Sequence, residues 1–201
     1  KSSFSWIEDR RENLIASSHS RDQYHKVRGA FSEDGILTAL DVDIFSNVGA
    51  FSCYPVTCGV EPLMALAEYT GPYKVQNFSA RARGIATNTC PMAPYRGVSR
   101  PVITFSMERM FEKASKILGL DAIEIRKKNL VSEFPHKTPT GITLDEGSYI
   151  QSLNKIEEII NIPKFRKKQK EHLQKGKYIG LGISVFNERT GYGTSAFAAR
   201  G

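Results

Sequence analysis

Apolar positions alternate with polar ones through the first half of the chain and recur at helical spacing through much of the second. In DQYHKVRGAFSEDGILTALDVDIFSNVGAF, Val27, Ala30, Ile36, Leu40, Val42 and Ile44 supply the apolar faces of two strands, and Asp34-Gly35 supplies the turn that makes them a hairpin. The earlier WIEDRRENLIASS suits a short strand turning into a polar helix or loop. Pro55, Pro62 and Pro72 interrupt CYPVTCGVEPLMALAEYTGPY, which predicts an irregular connection with one helical turn over Leu63 to Glu68. Val75, Phe78, Ala80, Ala82 and Ile85 then alternate closely enough to predict a third long strand.

From Ser99 the period changes. Ser99 can cap, Pro101 suits a first helical turn, and Ile103, Met107, Met110, Phe111, Ala114, Ile117 and Leu118 mark one face of a helix that Gly119 stops. A second helix starts at Asp121, with Glu124 three residues on, and gives way to the Pro/Gly-rich SEFPHKTPTGITLDEGSY. Ile150, Leu153, Ile156, Ile159 and Ile160 predict the core stripe of further helix on both sides of Pro163. KYIGLGISVFNERTGYGTSAF reads as a strand entering a glycine-rich turn. Strands followed by helices imply an α+β fold, long β-strands with packed helices, with a sub-boundary near 131–150.

Composition narrows the class. With 201 residues, 40% hydrophobic and 24% charged, the chain can bury a core. No run of eighteen apolar residues offers a membrane span, and Cys53, Cys58 and Cys90 show no CxxC or zinc-ligand spacing. A cytoplasmic protein with buried free thiols is the expectation. Much of the net charge of +7 comes from Lys164 to Lys177, KFRKKQKEHLQKGK. A solvated helix face explains that stretch most simply; a module binding an acidic partner through 164–177 is the alternative, while nucleic acid is disfavoured because no groove-entering motif or aromatic set accompanies the charge.

The chemistry concentrates in CPMAPYRGVSRP, Cys90 to Pro101. A loop between a strand and a helix start exposes unpaired N–H groups, and a glycine lets the backbone come close to an anionic or oxo-bearing ligand. On spacing alone, Arg96 could equally pair with a carboxylate or a nearby carbonyl.

Five stretches together change that reading: WIEDRRENLIASSHSRDQYH, GILTALDVDIFSNVGAF, TGPYKVQNFSARARGIATNTCPMAPYRGVSRP, ERMFEKASKILGLDAIEIRKKNL and TPTGITLDEGSY. In this order they resemble the molybdenum-binding large subunit of the xanthine dehydrogenase, aldehyde oxidase and carbon monoxide dehydrogenase family. The resemblance implies an internal piece, 1–201, of the molybdopterin-binding region of an oxidoreductase that inserts water-derived oxygen into a C–H bond. It implies that Tyr95, Arg96, Gly97 and Val98 contact the cofactor or substrate, with Arg96 positioning rather than transferring protons, since a guanidinium keeps its proton at working pH. NERTGYG resembles a segment near the pterin or substrate funnel, with a hairpin turn as the alternative.

Two departures bear on substrate. Copper-containing carbon monoxide dehydrogenases carry a cysteine directly after the loop arginine, where thiolate binds Cu(I); here that place is Gly97. An upstream arginine of the xanthine-oxidising members falls at Met64, which donates no strong hydrogen bond to an oxyanion. Met64 and Val98 therefore line a pocket expected to take an aldehyde or an aromatic N-heterocycle, the alternative being a copper-free carbon monoxide dehydrogenase-like protein of other substrate. The general-base glutamate is expected beyond residue 201, so no catalytic residue is assigned. The cofactor implied is molybdenum-molybdopterin in its cytosine dinucleotide form. FAD and 2Fe-2S clusters are expected on companion subunits or domains of a dimeric complex, since no cluster spacing of cysteines occurs here.

Overall fold

A computed structural model describes residues 2–53 and 58–188. The chain runs α1 (Arg10–Ala16), β1 (Gln23–Phe31), β2 (Leu37–Gly49), α2 (Val60–Glu68), β3 (Asn77–Ala86), α3 (Arg100–Leu118), α4 (Ala122–Asn129), β4 (His136–Lys137), β5 (Thr143–Leu144), α5 (Tyr149–Ile160) and α6 (Ile162–Gln174). β1, β2 and β3 form one sheet in that order, and β4 and β5 a small antiparallel pair. The fold is α+β, as the pattern predicts.

The hairpin closes over Asp34-Gly35: Ser32 N–H donates to Ile36 O at 2.9 Å, and Gly35 adopts φ +90°. Bonded positions along β2 and along β3 and the residue after it then climb together, Thr38 with Asn77, Asp43 with Arg83 and Gly49 with Thr87, so β3 runs parallel to β2 and α2 lies in the crossover between them. Val42 and Ile44 are buried on one face of β2, whereas Asp41 and Asp43 look outward and pair with Arg28 and Arg83 at 2.7 and 2.6 Å.

Two compact units emerge, Lys1–Arg28, Asp41–Tyr69 and Ser79–Ile103 in the first, Gly29–Leu40, Thr70–Phe78 and Thr104–Gly201 in the second. Within the second, Phe111 meets Phe31 edge-on at 5.5 Å and Tyr73 at 4.3 Å between ring centroids. Asn129, 1% exposed, accepts from Leu37 N–H at 2.7 Å and donates to Gly35 O and Ile125 O, so one amide side chain satisfies three buried backbone groups. The buried Glu108 carboxylate takes hydrogen bonds from the Tyr73 hydroxyl and from Arg126 Nε at 2.7 Å. Burial, followed by the Glu108 charge, pushes the Tyr73 hydroxyl well above its ordinary pKa.

Several expectations change. The connection after Cys58 holds a nine-residue helix, α2, rather than one turn, because Pro62 falls in its first turn, where the missing N–H has no intrahelical partner to lose; Pro55 lies outside the described residues. Trp6 is not in a strand, and Asp9 and Glu12 instead form a capping box that starts α1. On α3, Ile103, Met107, Phe111 and Ala114 are buried as the stripe predicts, but Ile117 is 74% exposed and the polar Glu108 and Ser115 are buried beside them. Of the stripe on α5 only Leu153 is buried, with Ile156 and Ile159 at 43% and 69% exposure; Leu153, Ile156 and Ile160 line a groove of about 340 Å³ together with 182–186. Residues 179–188 alternate between half-buried and exposed like a strand but have no ladder partner among the described residues. The rest of the glycine-rich turn, 189–193, lies outside them.

Candidate functional site

The loop between β3 and α3 is built within the first unit, and its footing is Asn47 on β2. Asn47 Oδ1 accepts from the Thr87 hydroxyl at 2.8 Å and from Gly49 N–H at 2.8 Å, while its amide donates to Asp22 at 2.9 Å and to the Thr89 hydroxyl at 3.0 Å. The paired threonines of Thr87-Asn88-Thr89 thus gather on one side chain. Gly49, at φ +76°, lets Cys90 and Pro91 cross its backbone, since a Cβ there would collide with the Cys90 carbonyl oxygen and Pro91 Cα. His19 N–H to Pro91 O at 3.1 Å and Ala93 N–H to His19 O at 2.8 Å carry the loop onward.

At its tip the chain bends sharply. Val98 N–H returns to Tyr95 O at 2.6 Å and Arg100 N–H to Gly97 O at 2.9 Å, and Gly97 and Val98 both hold positive φ, +92° and +49°. A β-branched residue in the left-handed region is a genuine outlier that the surroundings must enforce. The bend turns Tyr95, 67% exposed, and Arg96 outward, while Gly97 and Val98 remain half-buried.

Behind the bend lies a polar support. Arg21 Nε donates to Val98 O at 3.1 Å, its Nη2 to Arg96 O, and its guanidinium lies 5.2 Å from the Tyr95 ring centroid. The Glu61 carboxylate, 3% exposed, accepts from Arg21 N–H at 3.2 and 3.0 Å and from Gln23 Nε2 at 3.2 Å. Ser99, at the head of α3, donates its hydroxyl to Glu61 O at 2.6 Å and accepts from Gln23 at 3.1 Å. His25 continues the series, bonding Gln23 Oε1 at 2.9 Å and the Tyr69 hydroxyl at 3.1 Å, and burial lowers its pKa from 6.5. Arg100 and Glu68, about nine-tenths buried, form a two-pronged pair through Nε at 2.6 Å and Nη2 at 3.0 Å.

Of the residues expected from sequence, Tyr95 to Val98 form the bend itself, and Met64 stands half-buried on α2, one turn after Glu61. Arg21, Gln23, Glu61 and Asn47 were not singled out. They are scattered over forty positions, with Arg21 77 positions from Val98, and only the left-handed φ of Arg21, +65°, marks any of them, a property no sequence pattern carries. No group of three or more His, Cys, Asp or Glu side chains that could hold a metal occurs among the described residues. The bend instead offers a guanidinium, a phenol and main chain, a donor set for the anionic, oxygen-rich periphery of an organic cofactor rather than for a bare ion.

Comparison with known proteins identifies the family. The molybdopterin cofactor-binding domain family matches residues 1–130. The large subunit of nicotine 6-hydroxylase from Paenarthrobacter nicotinovorans is 35% identical over the whole chain, and the carbon monoxide dehydrogenase large chain of Hydrogenophaga pseudoflava 29% identical over 94% of it. Quinoline 2-oxidoreductase from Pseudomonas putida 86 superposes on 96% of the chain with a TM-score of 0.90 at 39% identity. Carbon monoxide dehydrogenase from Oligotropha carboxidovorans superposes on 86% with a TM-score of 0.75 at 26% identity. The chain spans about a quarter of the length of each of these relatives. A match covering well over half of the chain, joined to a relative more than 30% identical across all of it, places this protein in the molybdopterin cofactor-binding domain family.

Proposed function

We propose that this chain forms one wall of the active site of a molybdenum hydroxylase acting on an aromatic N-heterocycle or an aldehyde. When bound, the molybdenum-pterin group supplies a two-electron oxidation in which R–H and water give R–OH, two protons and two electrons. Arg96 offers a charge-assisted donor to an anionic edge of that group. Gly97 takes the left-handed conformation that brings the main chain of the bend to it, and Tyr95 adds a phenol and a ring face. Val98 and Met64 supply apolar pocket wall. The general base, the cytosine dinucleotide half of the cofactor and the iron–sulfur and flavin units that take the electrons are assigned to other parts of the complex, itself a dimer.

One observation carries this reading: two consecutive left-handed residues, Gly97 and Val98, aim Arg96 outward from a bend whose rear is fully engaged by Arg21. The names of two relatives, nicotine 6-hydroxylase and quinoline 2-oxidoreductase, support a heteroaromatic substrate. Gly97 offers no thiolate for copper. The test is elemental analysis of the full-length protein purified with its companion subunits, followed by parallel assays of N-heterocycles, aldehydes and carbon monoxide. Molybdenum without copper, and turnover of a heterocycle or aldehyde, is expected. Absence of molybdenum, or turnover of carbon monoxide alone, would overturn the assignment.

A further inference from the structure

Arg21 joins an unusual backbone conformation to side-chain contacts with the bend. It is one of three non-glycine residues with positive φ among those described, at +65°, and it pays that conformational cost beside Gly97 and Val98, which are also left-handed. Its own N–H is held by both oxygens of the buried Glu61 carboxylate, at 3.2 and 3.0 Å. From that anchored backbone the planar guanidinium reaches the two carbonyls that flank Gly97, Val98 O through Nε at 3.1 Å and Arg96 O through Nη2, and lies 5.2 Å from the Tyr95 ring centroid. A Cβ built on Gly97 would stand 3.5 Å from Arg21 Nη2, so the fork sits directly behind the glycine.

With the Arg96 carbonyl turned inward to Arg21, the Gly97 N–H of the same planar trans peptide points the opposite way, while the Gly97 carbonyl and the Val98 N–H are taken up within the bend by Arg100 N–H and Tyr95 O. A guanidinium can hold two carbonyls at a fixed separation because its donors are coplanar and rigid, whereas an ammonium is a single point on a flexible stem. We propose that Arg21 is a positioning residue for the cofactor-facing bend: clamped by Glu61, it fixes the carbonyls of Arg96 and Val98 and thereby sets the direction in which the Arg96 side chain and the Gly97 main chain meet the pterin group. The inference rests on the reading above that this bend faces the cofactor. Gln23 extends the clamp, since its amide bonds both Glu61 and the Ser99 hydroxyl at the head of α3. The bend is thus held from its rear at Arg96, Val98 and Ser99 by residues that lie before β1 or at its start.

The experiment uses the full-length protein assembled with its companion subunits, as wild type, Arg21→Met and Arg21→Lys. Amide hydrogen exchange over 93–103 reads the bend, and molybdenum content together with the paramagnetic resonance spectrum of the dithionite-reduced metal reads the cofactor. In Arg21→Met the bend is expected to exchange at least tenfold faster while α4 is unchanged, with molybdenum occupancy several-fold lower or the metal spectrum altered; Arg21→Lys, able to reach one carbonyl at a time, falls between. Unchanged exchange in Arg21→Met would overturn the clamp and leave the placement of the bend standing. Faster exchange with wild-type occupancy and spectrum would show a bend held by Arg21 away from the cofactor, and so overturn both the positioning role and the functional assignment. Should Arg21→Met fail to accumulate as folded complex, Arg21→Lys decides alone, and wild-type exchange in it would overturn the proposal.

Discussion

At Gly97 the backbone conformation and the space around it impose the same choice. A side chain at φ +92° is strained by about 1–3 kcal/mol wherever it occurs, and here an added Cβ would also press on the Pro101 ring at 3.3 Å. Gly97→Ala is therefore expected to lower the melting temperature of the folded protein by several degrees and to reduce molybdenum occupancy, measured by thermal unfolding and elemental analysis. Glu108 shows the opposite case, a residue whose importance is entirely in its partners. Its carboxylate answers both the Tyr73 hydroxyl and the Arg126 guanidinium, whose side chains are buried with it. Glu108→Gln leaves Arg126 buried without its counter-charge and should cost about 3–5 kcal/mol in urea unfolding, against about 1 kcal/mol for Tyr73→Phe, which removes one hydrogen bond.

Elements whose start is written in local chemistry are the ones the sequence predicts well. Asp121 accepts from Ile123 and Glu124 N–H at the head of α4, as its spacing to Glu124 implies. Asp121→Ala should cost about 1 kcal/mol, read as a shift in urea midpoint with unchanged slope. Asn161 works similarly between α5 and α6: it takes the left-handed turn at φ +51° and caps Lys164 N–H at 3.2 Å, so the helices part at Asn161 rather than at Pro163, which sits in the first turn of α6. α2 is longer than its prolines predict, because Pro62 stands where a helix tolerates one. Residues 179–188 have the alternation of a strand without the ladder, and period-2 patterning records only which side chains face inward.

Across the molecule, the half-buried His25 gives stability a dependence on pH. Burial holds the His25 pKa below 6.5, so between its folded value and about 6.5 the unfolded chain binds more protons. Stability therefore rises with pH through that window and falls as the solution is acidified through it. His25→Gln should flatten this part of the profile, checked by unfolding wild type and variant from pH 5 to 8. No helix among the described residues is long and apolar enough to cross a membrane. Most of the basic stretch lies on α6, Ile162–Gln174, where Lys164, Lys167, Lys168 and Lys170 face solvent.

The sequence by itself determined the hairpin at Asp34-Gly35, the long helix bounded by Ser99 and Gly119, and the location of the bend, because turn residues, caps and short-range periodicity act between neighbours in the chain. It also carried the ordered motifs by which the family could be recognised. Tertiary structure alone decided that β3 runs parallel to β2, that the two threonines of Thr87-Asn88-Thr89 meet on Asn47, and that Arg21 and Glu61 hold the bend from behind. Those contacts join residues from about forty to almost eighty positions apart. Such pairings are fixed by which surfaces can be buried together and which polar groups can be satisfied there, and no local pattern encodes that choice.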